Sequence, residues 1–188
     1  IYNNQKLLQA DGEQLPFADN EFDYVICSHV LEHVEDPKKF VSEQSRVAKR
    51  GYMEAPSLIG EFLAPKESHK WVILEIDDKL IMFEKSKLPY SFHPDFGDLF
   101  LNYLPYQSIP FRLLVLTRND FLSVRYEWKE SIDIIINPED EYYSSFFLQR
   151  WSPDMVKKIF PPISSTNEIL NTFKALFYFA LDKFRRVF

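Results

Sequence analysis

A short apolar strand followed at once by a capped helix is the feature that most constrains the fold of this chain. The residues FDYVIC at 22–27 are rich in β-branched and aromatic side chains, and they are too few to form a helix. An unbroken apolar run of this length is typical of a parallel strand that is buried on both faces. Asp36 and Pro37 then predict a helix start, with Asp36 as the N-cap and Pro37 at the first helical position. We expect this helix to end just before Gly51.

Composition and charge limit the class of protein. The 188 residues are 46% hydrophobic and 27% charged, which predicts a folded protein with one main domain. The net charge of −6 argues against a general nucleic-acid-binding domain, since such domains place many basic side chains against phosphates. The single cysteine, Cys27, excludes a disulfide framework and favours a cytoplasmic location. No apolar run reaches the roughly 18 residues of a membrane-spanning helix.

Four short motifs follow one another between Asp11 and Gly51. They are DGEQLPF, FDYV, HVLEHV and EQSRV, in that order. This series resembles the second half of the class I S-adenosylmethionine-dependent methyltransferases. The resemblance implies an α/β, Rossmann-like fold that is truncated at its N-terminus and carries an inserted β-hairpin and a C-terminal helix.

The family's glycine-rich cofactor loop has no counterpart in this sequence. In the family, a glycine-rich turn after the first strand and an acidic residue after the second hold the cofactor, but the chain contains only 4 glycines and no glycine-rich loop. We therefore expect a fragment or a degraded relative that begins just before the third strand of the fold. Residues 5–10 would be that strand, either loosely attached or paired directly beside 22–27. The strand at 22–27 would in turn be left at the edge of a sheet whose order is 22–27, 52–55 and 121–136.

The resemblance also implies S-adenosylmethionine as the cofactor of the parent enzyme and assigns residues to it. Asp11, Gly12 and Glu13 stand at the positions that meet the adenine ring in the family. Ser28 and His29 follow the strand at 22–27, and ligands of open α/β sheets bind beyond the carboxyl ends of the strands. A plain turn that ends a strand is the alternative for Asp11 and Gly12.

His29, Glu32 and His33 have the spacing i, i+3, i+4, which places them on one face of a short helix. In one interpretation, His33 is a general base that removes a proton from the methyl acceptor, and Glu32 orients it. In the other, the three side chains bind a divalent metal ion, with His69 as a fourth ligand. Such a trio on a helix face is often only a hydrogen-bonded surface, and the spacing alone does not choose among these interpretations.

The residues at 57–110 are expected to form an insertion that covers the methyl acceptor. Glu54 closes the strand predicted at 52–55, and it is a candidate substrate contact together with His69 and Trp71. The segments 71–76 and 79–83 flank Asp77-Asp78 and predict a β-hairpin. The segment before them, 59–69, is expected to be a loop.

The rest of the chain divides into two predicted parts. Residues 1–150 would form the partial methyltransferase domain, in which 121–126 and 132–136 pair with each other as antiparallel strands. Residues 151–188 would form a helical appendage, whose run at 167–184 has one broad apolar face. This face either docks on the domain or, because basic residues follow it, contacts an anionic membrane surface peripherally.

Together these patterns predict an enzyme that transfers a methyl group from S-adenosylmethionine to an oxygen or nitrogen of a small molecule or glycan. His33 is the candidate base and Glu32 its partner. The alternative is a non-catalytic binding or scaffolding protein of the same fold that has lost its donor site.

Overall fold

The computed structural model describes the backbone of residues 6–185 and the side chains of residues 6–181. In chain order, the strands are β1 Val25–Ser28, β2 Arg50–Pro56, β3 Trp71–Ile76, β4 Lys79–Glu84, β5 Ser123–Lys129 and β6 Ile134–Ile136. The α-helices are α1 Pro37–Val47, α2 Leu58–Leu63, α3 Leu104–Gln107, α4 Ile109–Thr117, α5 Glu141–Leu148, α6 Pro153–Ile159 and α7 Ser165–Arg185. A π-helical turn at Asp98–Tyr103 leads into α3.

Two three-stranded sheets form the framework. In the first sheet, β1 runs parallel to β2, and β2 runs antiparallel to β5, so the order is β1-β2-β5. In the second sheet, the antiparallel pair β3-β4 is extended by β6, which runs parallel to β4. The predicted neighbour order of the strands at 22–27, 52–55 and 121–126 is confirmed, and β1 is the edge strand.

The predicted start of the helix that follows β1 is confirmed. The carboxylate of Asp36 accepts hydrogen bonds from the N–H groups of Lys38 and Lys39, and Pro37 begins α1. The end of the helix was predicted wrongly, because α1 stops at Val47 and Gly51 lies inside β2. A Cβ atom at Gly51 would lie 2.5 Å from the Val25 carbonyl oxygen, so glycine is required by the close approach of β1.

The predicted hairpin is also confirmed. Asp77 and Asp78 form its two-residue turn, and both have left-handed backbone angles, with φ of 55° and 58°. Two consecutive positive φ values are the signature of the type I′ turn, whose twist matches that of the flanking strands.

Two other expectations about strands were wrong, and the one for the segment at 5–10 was met in part. The segments 121–126 and 132–136 do not pair with each other, because β5 pairs along its whole length with β2 while β6 joins the second sheet. Residues 6–10 form no strand and are exposed, as expected of a loosely attached segment, whereas residues 1–5 lie outside the described residues. Only Cys27 of β1 is buried, and Ile26 is 71% exposed, so β1 is buried on one face rather than two.

The two sheets pack face to face through one hydrophobic cluster. Cys27, Met53 and Tyr126 of the first sheet meet Ile73 and Met82 of the second. A second cluster lies on the opposite face of the β3-β4-β6 sheet, which α5 covers with two buried phenylalanines, Phe146 and Phe147. The second sheet is therefore covered on both faces.

The segments that flank the hairpin are helical. The predicted loop at 59–69 is wrong in its first half, since α2 forms there with the Ser57 hydroxyl accepting a hydrogen bond from Gly60 N–H. At the C-terminal end, α7 contacts α4 but leaves most of its apolar side chains exposed. Within the described residues, no helix is long and apolar enough to cross a membrane.

Candidate functional site

The candidate site lies at the carboxyl end of β1, where the chain leaves the first sheet. His29 has a left-handed backbone conformation, with φ of 55°, and its N–H donates to the Glu54 carbonyl oxygen at 2.8 Å. The residues Leu31–His33 then form one 3₁₀ turn, which buries Glu32. The predicted short helix is thus a single turn, but the predicted gathering of His29, Glu32 and His33 is observed.

The Glu32 carboxylate is the centre of this cluster. Its Oε1 atom lies 3.4 Å from His29 Nδ1, 3.9 Å from His33 Nε2 and 3.9 Å from His69 Nε2. These separations are longer than N–H···O hydrogen bonds. The Glu32 side chain is 1% exposed, and neither of its oxygens accepts a hydrogen bond from any group in the described part of the chain. A buried carboxylate without donors is unfavourable, so this carboxylate calls for a partner.

Two of the histidine rings are held in fixed orientations. His33 Nδ1 lies 3.0 Å from the Ser68 carbonyl oxygen, and His69 Nδ1 lies 2.6 Å from Glu61 Oε2. A carbonyl and a carboxylate only accept hydrogen bonds, so each Nδ1 carries a proton. In the neutral rings, the Nε2 atoms therefore present lone pairs toward Glu32.

Glu61 supports His69 from α2. This carboxylate is 1% exposed, and it also accepts hydrogen bonds from Lys85 Nζ at 2.6 Å and from the Lys66 N–H at 3.2 Å. Burial by itself would raise the pKa of Glu61, but the hydrogen bonds from His69 and Lys85 outweigh burial and hold the pKa below its ordinary value. Sequence reasoning missed Glu61, because no local pattern links it to a histidine eight residues later.

A pocket of about 220 Å³ joins the predicted adenine residues to His33. Asp11, Gly12 and Glu13 line it together with His33 and Val30. A Cβ atom on Gly12 would lie 2.6 Å from the Phe40 ring, so glycine is needed where this wall packs on α1. The pocket thus brings together one part of the predicted cofactor site and the predicted base.

The acidic side chains of this wall also have structural partners. Asp11 Oδ1 accepts the Glu13 N–H at 2.9 Å, which is the turn that was weighed as the alternative. Glu13 Oε1 accepts the N–H groups of Glu35 and Asp36 at 2.8 and 3.0 Å. Glu13 therefore fixes the approach to α1, a role that its sequence position did not reveal.

Ser28 and Glu54 lie on the other face of the first sheet. They are paired in register across β1 and β2, one residue beyond the buried pair Cys27 and Met53. Glu54 Oε2 accepts the Tyr52 hydroxyl at 2.6 Å. Burial, with this hydrogen bond, raises the pKa of Tyr52 to about 12. The structure therefore does not bring Ser28 and Glu54 into the Glu32 cluster.

Trp71 and Cys27 are core residues. The Trp71 ring is 8% exposed in the cluster between the sheets, and its Nε1–H donates to the Val34 carbonyl oxygen at 2.8 Å. Its position supports packing rather than contact with a substrate. Burial, with a smaller contribution from the charge of Glu32, raises the pKa of the Cys27 thiol to about 12, which keeps the thiol protonated at neutral pH.

Arg46 fixes the segment that carries the predicted adenine residues. Its guanidinium donates to both oxygens of Glu43 at 2.7 and 2.8 Å and to the carbonyl oxygens of Leu15 and Phe17. It also pairs with Asp19 at 2.9 Å. The hydrogen bonds from Arg46 lower the pKa of Glu43 to about 2. The EQSRV motif therefore anchors the loop at 11–20 to α1, which sequence reasoning did not predict.

An apolar groove of about 650 Å³ lies away from this cluster, between α4 and α7. Its lining includes Phe111, Val115, Tyr178 and Leu181. On α7 itself, side chains such as Phe173 and Phe177 are exposed by more than 60%. The apolar run predicted at 167–184 is therefore helical, but it is only partly covered within the described side chains.

The comparisons with known proteins agree with the motifs at 11–51. Residues 2–53 match the family described as "Methyltransferase domain". An uncharacterized protein of Methanocaldococcus jannaschii is 52% identical over 46 residues, which are 24% of this chain and 22% of that protein. A demethylmenaquinone methyltransferase of Renibacterium salmoninarum is 41% identical over 58 residues, 31% of this chain and 23% of that enzyme.

A longer match extends into the second half of the chain. The ubiquinone/menaquinone biosynthesis C-methyltransferase of Klebsiella pneumoniae is 36% identical over 101 residues, which are 53% of this chain and 34% of that enzyme. The chain thus spans between about a fifth and a third of the length of these relatives. No solved structure matches it significantly. The motifs, the strand order and these matches agree that the N-terminal segment at 2–53 is similar to a methyltransferase domain.

Proposed function

We propose that this chain carries the acceptor side of an S-adenosylmethionine-dependent methyltransferase. The observation that carries the proposal is the pocket of about 220 Å³, which the family's adenine-contacting positions line together with His33. Asp11 fits the adenine end, because one of its oxygens remains beyond its turn contact, and Gly12 lets this wall pack closely on Phe40. S-adenosylmethionine, when bound, supplies a methyl group on a positively charged sulfur.

His33 is the proposed base. Its side chain is 40% exposed, so an acceptor can reach it, and its Nδ1 contact with Ser68 leaves the Nε2 lone pair free to take a proton. As the acceptor oxygen or nitrogen bonds to the methyl carbon and the carbon–sulfur bond breaks, the acceptor's proton passes to His33 Nε2. The Glu32 carboxylate, 3.9 Å from that atom, stabilises the resulting imidazolium.

The acceptor class remains the one expected from the sequence, an oxygen or nitrogen of a small molecule or glycan. A ring carbon is the second candidate, because the relatives with the matching motifs include enzymes named as C-methyltransferases. Removal of a proton by His33 serves either acceptor. A protein of this fold that binds a partner without catalysis is the alternative that the experiment below excludes or supports.

Peripheral membrane contact through α7 is proposed as well. Phe173 and Phe177 are 66% and 63% exposed on this helix, as on helices that lie in a membrane interface. Sedimentation with anionic and neutral vesicles tests this contact. We expect binding that favours anionic vesicles and is lost in the Phe173→Ser, Phe177→Ser double variant. If the original chain does not sediment with vesicles, the membrane contact is contradicted.

The test of catalysis uses the full-length product of the gene that encodes this chain. With radiolabelled S-adenosylmethionine, we expect label to pass to an acceptor, and His33→Ala to lower kcat at least 100-fold with little change in cofactor affinity. His93→Gln is the matched control, since His93 is an exposed histidine outside this pocket. Equal losses of turnover and affinity would make His33 a structural residue, and cofactor binding without any transfer would support the non-catalytic alternative.

A further inference from the structure

We propose that Glu32, His33 and His69 form a binding site for a divalent transition metal ion, with Zn²⁺ as the ion best suited to them. The ligand atoms of these three residues all lie within 4.8 Å of one another. Two imidazole nitrogens and one carboxylate oxygen are a typical ligand set for zinc sites that keep an open position. The spacing His29, Glu32, His33 in the sequence did not choose between a base and a metal, whereas the three-dimensional arrangement favours the metal.

The orientation of the lone pairs is the first argument. Each histidine donates its Nδ1 proton to an acceptor outside the cluster, His33 to Ser68 and His69 to Glu61. Both Nε2 atoms therefore direct lone pairs toward a carboxylate oxygen that is itself an acceptor. Three acceptors around one point repel one another unless a cation lies between them. A carboxylate on the far nitrogen of a histidine, as Glu61 provides for His69, is also the usual outer partner of a metal-binding imidazole.

The unsatisfied carboxylate is the second, independent argument. Glu32 is 1% exposed, and both of its oxygens lack a hydrogen-bond donor among the residues described. Glu61 has the same burial but accepts hydrogen bonds from His69, Lys85 and Lys66. A chain that satisfies one buried glutamate fully and leaves the other without any donor indicates that a ligand completes the second.

The distances allow the ion with small side-chain movements. Zinc bonds of roughly 2.0–2.1 Å in a tetrahedral arrangement separate the ligand atoms by about 3.4 Å. The two Nε2 atoms are each 3.9 Å from Glu32 Oε1. Closing each of these two separations needs a shift of about 0.5 Å, and the three ligand atoms all lie within 4.8 Å of one another, so side-chain rotation brings them to bonding distance. His29, 3.4 Å from the same oxygen and 55% exposed, stands on the accessible side of the cluster.

The metal site does not depend on the proposed function, and it is an alternative to the base role proposed for His33. With an ion bound, His33 Nε2 would be a ligand and would not accept a proton. The ion would supply Lewis acidity, which lowers the pKa of a hydroxyl at its open position.

The test is metal binding by the purified 188-residue chain. After removal of metal with chelator, calorimetric titration with Zn²⁺ should give one equivalent with a Kd in the micromolar range or tighter. Glu32→Gln and His69→Ala should weaken binding at least 100-fold. His33→Ala should do the same. Because the His33 side chain is partly exposed, this variant should remain folded, and circular dichroism checks that it does.

Two further variants separate ligation from general effects. Glu61→Gln should weaken zinc binding by about 10–100-fold, as expected for a residue that orients a ligand rather than binds the ion. His93→Gln, an exposed histidine away from the cluster, should leave the Kd unchanged. Titration with Co²⁺ should add visible ligand-field absorption that is absent in Glu32→Gln.

Several results would overturn the site. The first is the absence of binding when Zn²⁺ is in about 100-fold excess over the protein. The second is binding that persists in both Glu32→Gln and His33→Ala. The third is that His93→Gln weakens binding as much as the ligand variants do. The outcome is separable from that of the proposed function, because label transfer by the full-length gene product is measured with and without chelator. Label transfer that is unaffected by chelator, in a protein that binds no zinc, would support the proposed function and contradict the metal site.

Discussion

Replacing each of the two buried glutamates by glutamine should change stability in opposite directions. In the metal-free chain, Glu32→Gln removes a charge that has no donor, whereas Glu61→Gln breaks charge-assisted hydrogen bonds with His69 and Lys85. An unsatisfied buried group costs about 1–3 kcal/mol, and more when it is charged. The glutamine amide keeps part of that cost, so we expect Glu32→Gln to gain about 1–2 kcal/mol of unfolding free energy. Glu61→Gln should lose about 2 kcal/mol.

Thermal unfolding followed by circular dichroism measures both effects. For a chain of this size, 1 kcal/mol corresponds to about 2–4 °C in Tm, so the expected shifts are a rise of roughly 2–8 °C and a fall of roughly 4–8 °C. Saturation with Zn²⁺ should then reverse the ranking of the original chain and Glu32→Gln. At a free Zn²⁺ concentration of 100 Kd the original chain gains about 2.7 kcal/mol, while Glu32→Gln gains almost nothing.

The reasoning fails if Glu32→Gln lowers Tm in the absence of metal as much as Glu61→Gln does. That result would mean that the Glu32 carboxylate already has a favourable partner, such as a protonated histidine of the cluster, and needs no metal ion. A zinc-induced rise in Tm of equal size in the original chain and in Glu32→Gln would place the bound ion elsewhere.

Three further predictions concern the framework around the site. The pKa of Glu43 is about 2 in the folded chain, against 4.5 for a glutamate without partners, so its ion pair with Arg46 stabilises the fold fully above pH 4.5. This contribution, about 1 kcal/mol after screening, is lost as the pH falls toward 2. In urea unfolding between pH 6 and pH 3, the unfolding free energy should therefore fall less in Glu43→Gln than in the original chain. Gly60→Ala should destabilise the chain and weaken zinc binding, since its Cβ would lie 2.1 Å from the Leu122 carbonyl oxygen and would displace α2, whereas Gly97→Ala meets only a flexible side chain and should change little in the same urea and calorimetric measurements. The 188-residue chain should show no S-adenosylmethionine binding by calorimetry, because it has no glycine-rich loop to supply donors, and micromolar binding would contradict the expectation of a missing donor half.

Local chemistry in the sequence predicted the elements whose ends it specifies. Asp36 and Pro37 determine the start of α1, and Asp77-Asp78 determine the hairpin turn, because a cap and a two-residue turn depend only on neighbours in the chain. The partner of β6 could not be predicted in the same way. Three consecutive isoleucines at Ile134–Ile136 have no alternation of buried and exposed positions, so nothing in them distinguishes a neighbour in one sheet from a neighbour in the other.

The candidate site was predictable only where its residues are neighbours in the chain. The close spacing of His29, Glu32 and His33 indicated that they meet, and His69 was weighed as their fourth partner. The role of Glu61 is a different matter, because it arises only when α2 and the loop after it fold back on each other. Whether a histidine acts as a base or as a ligand depends on which of its nitrogens carries the proton, and that is determined by the acceptor it meets in the folded chain.

The candidate site also lies where the chain is hydrogen-bonded between the two sheets, and this placement explains why His69 reaches Glu32. The Lys70 N–H donates to the Glu32 carbonyl oxygen at 2.8 Å, and the Lys70 carbonyl oxygen accepts the Lys85 N–H. The residue before β3 is thus hydrogen-bonded both to the turn after β1 and to the residue that follows β4. His69, next to Lys70, enters the cluster because of these two bonds, while Lys85 and Glu61 hold its ring from behind. The segment that matches the family contains Glu32 and His33, and residues that flank the second sheet, Glu61, His69 and Lys85, complete the candidate site.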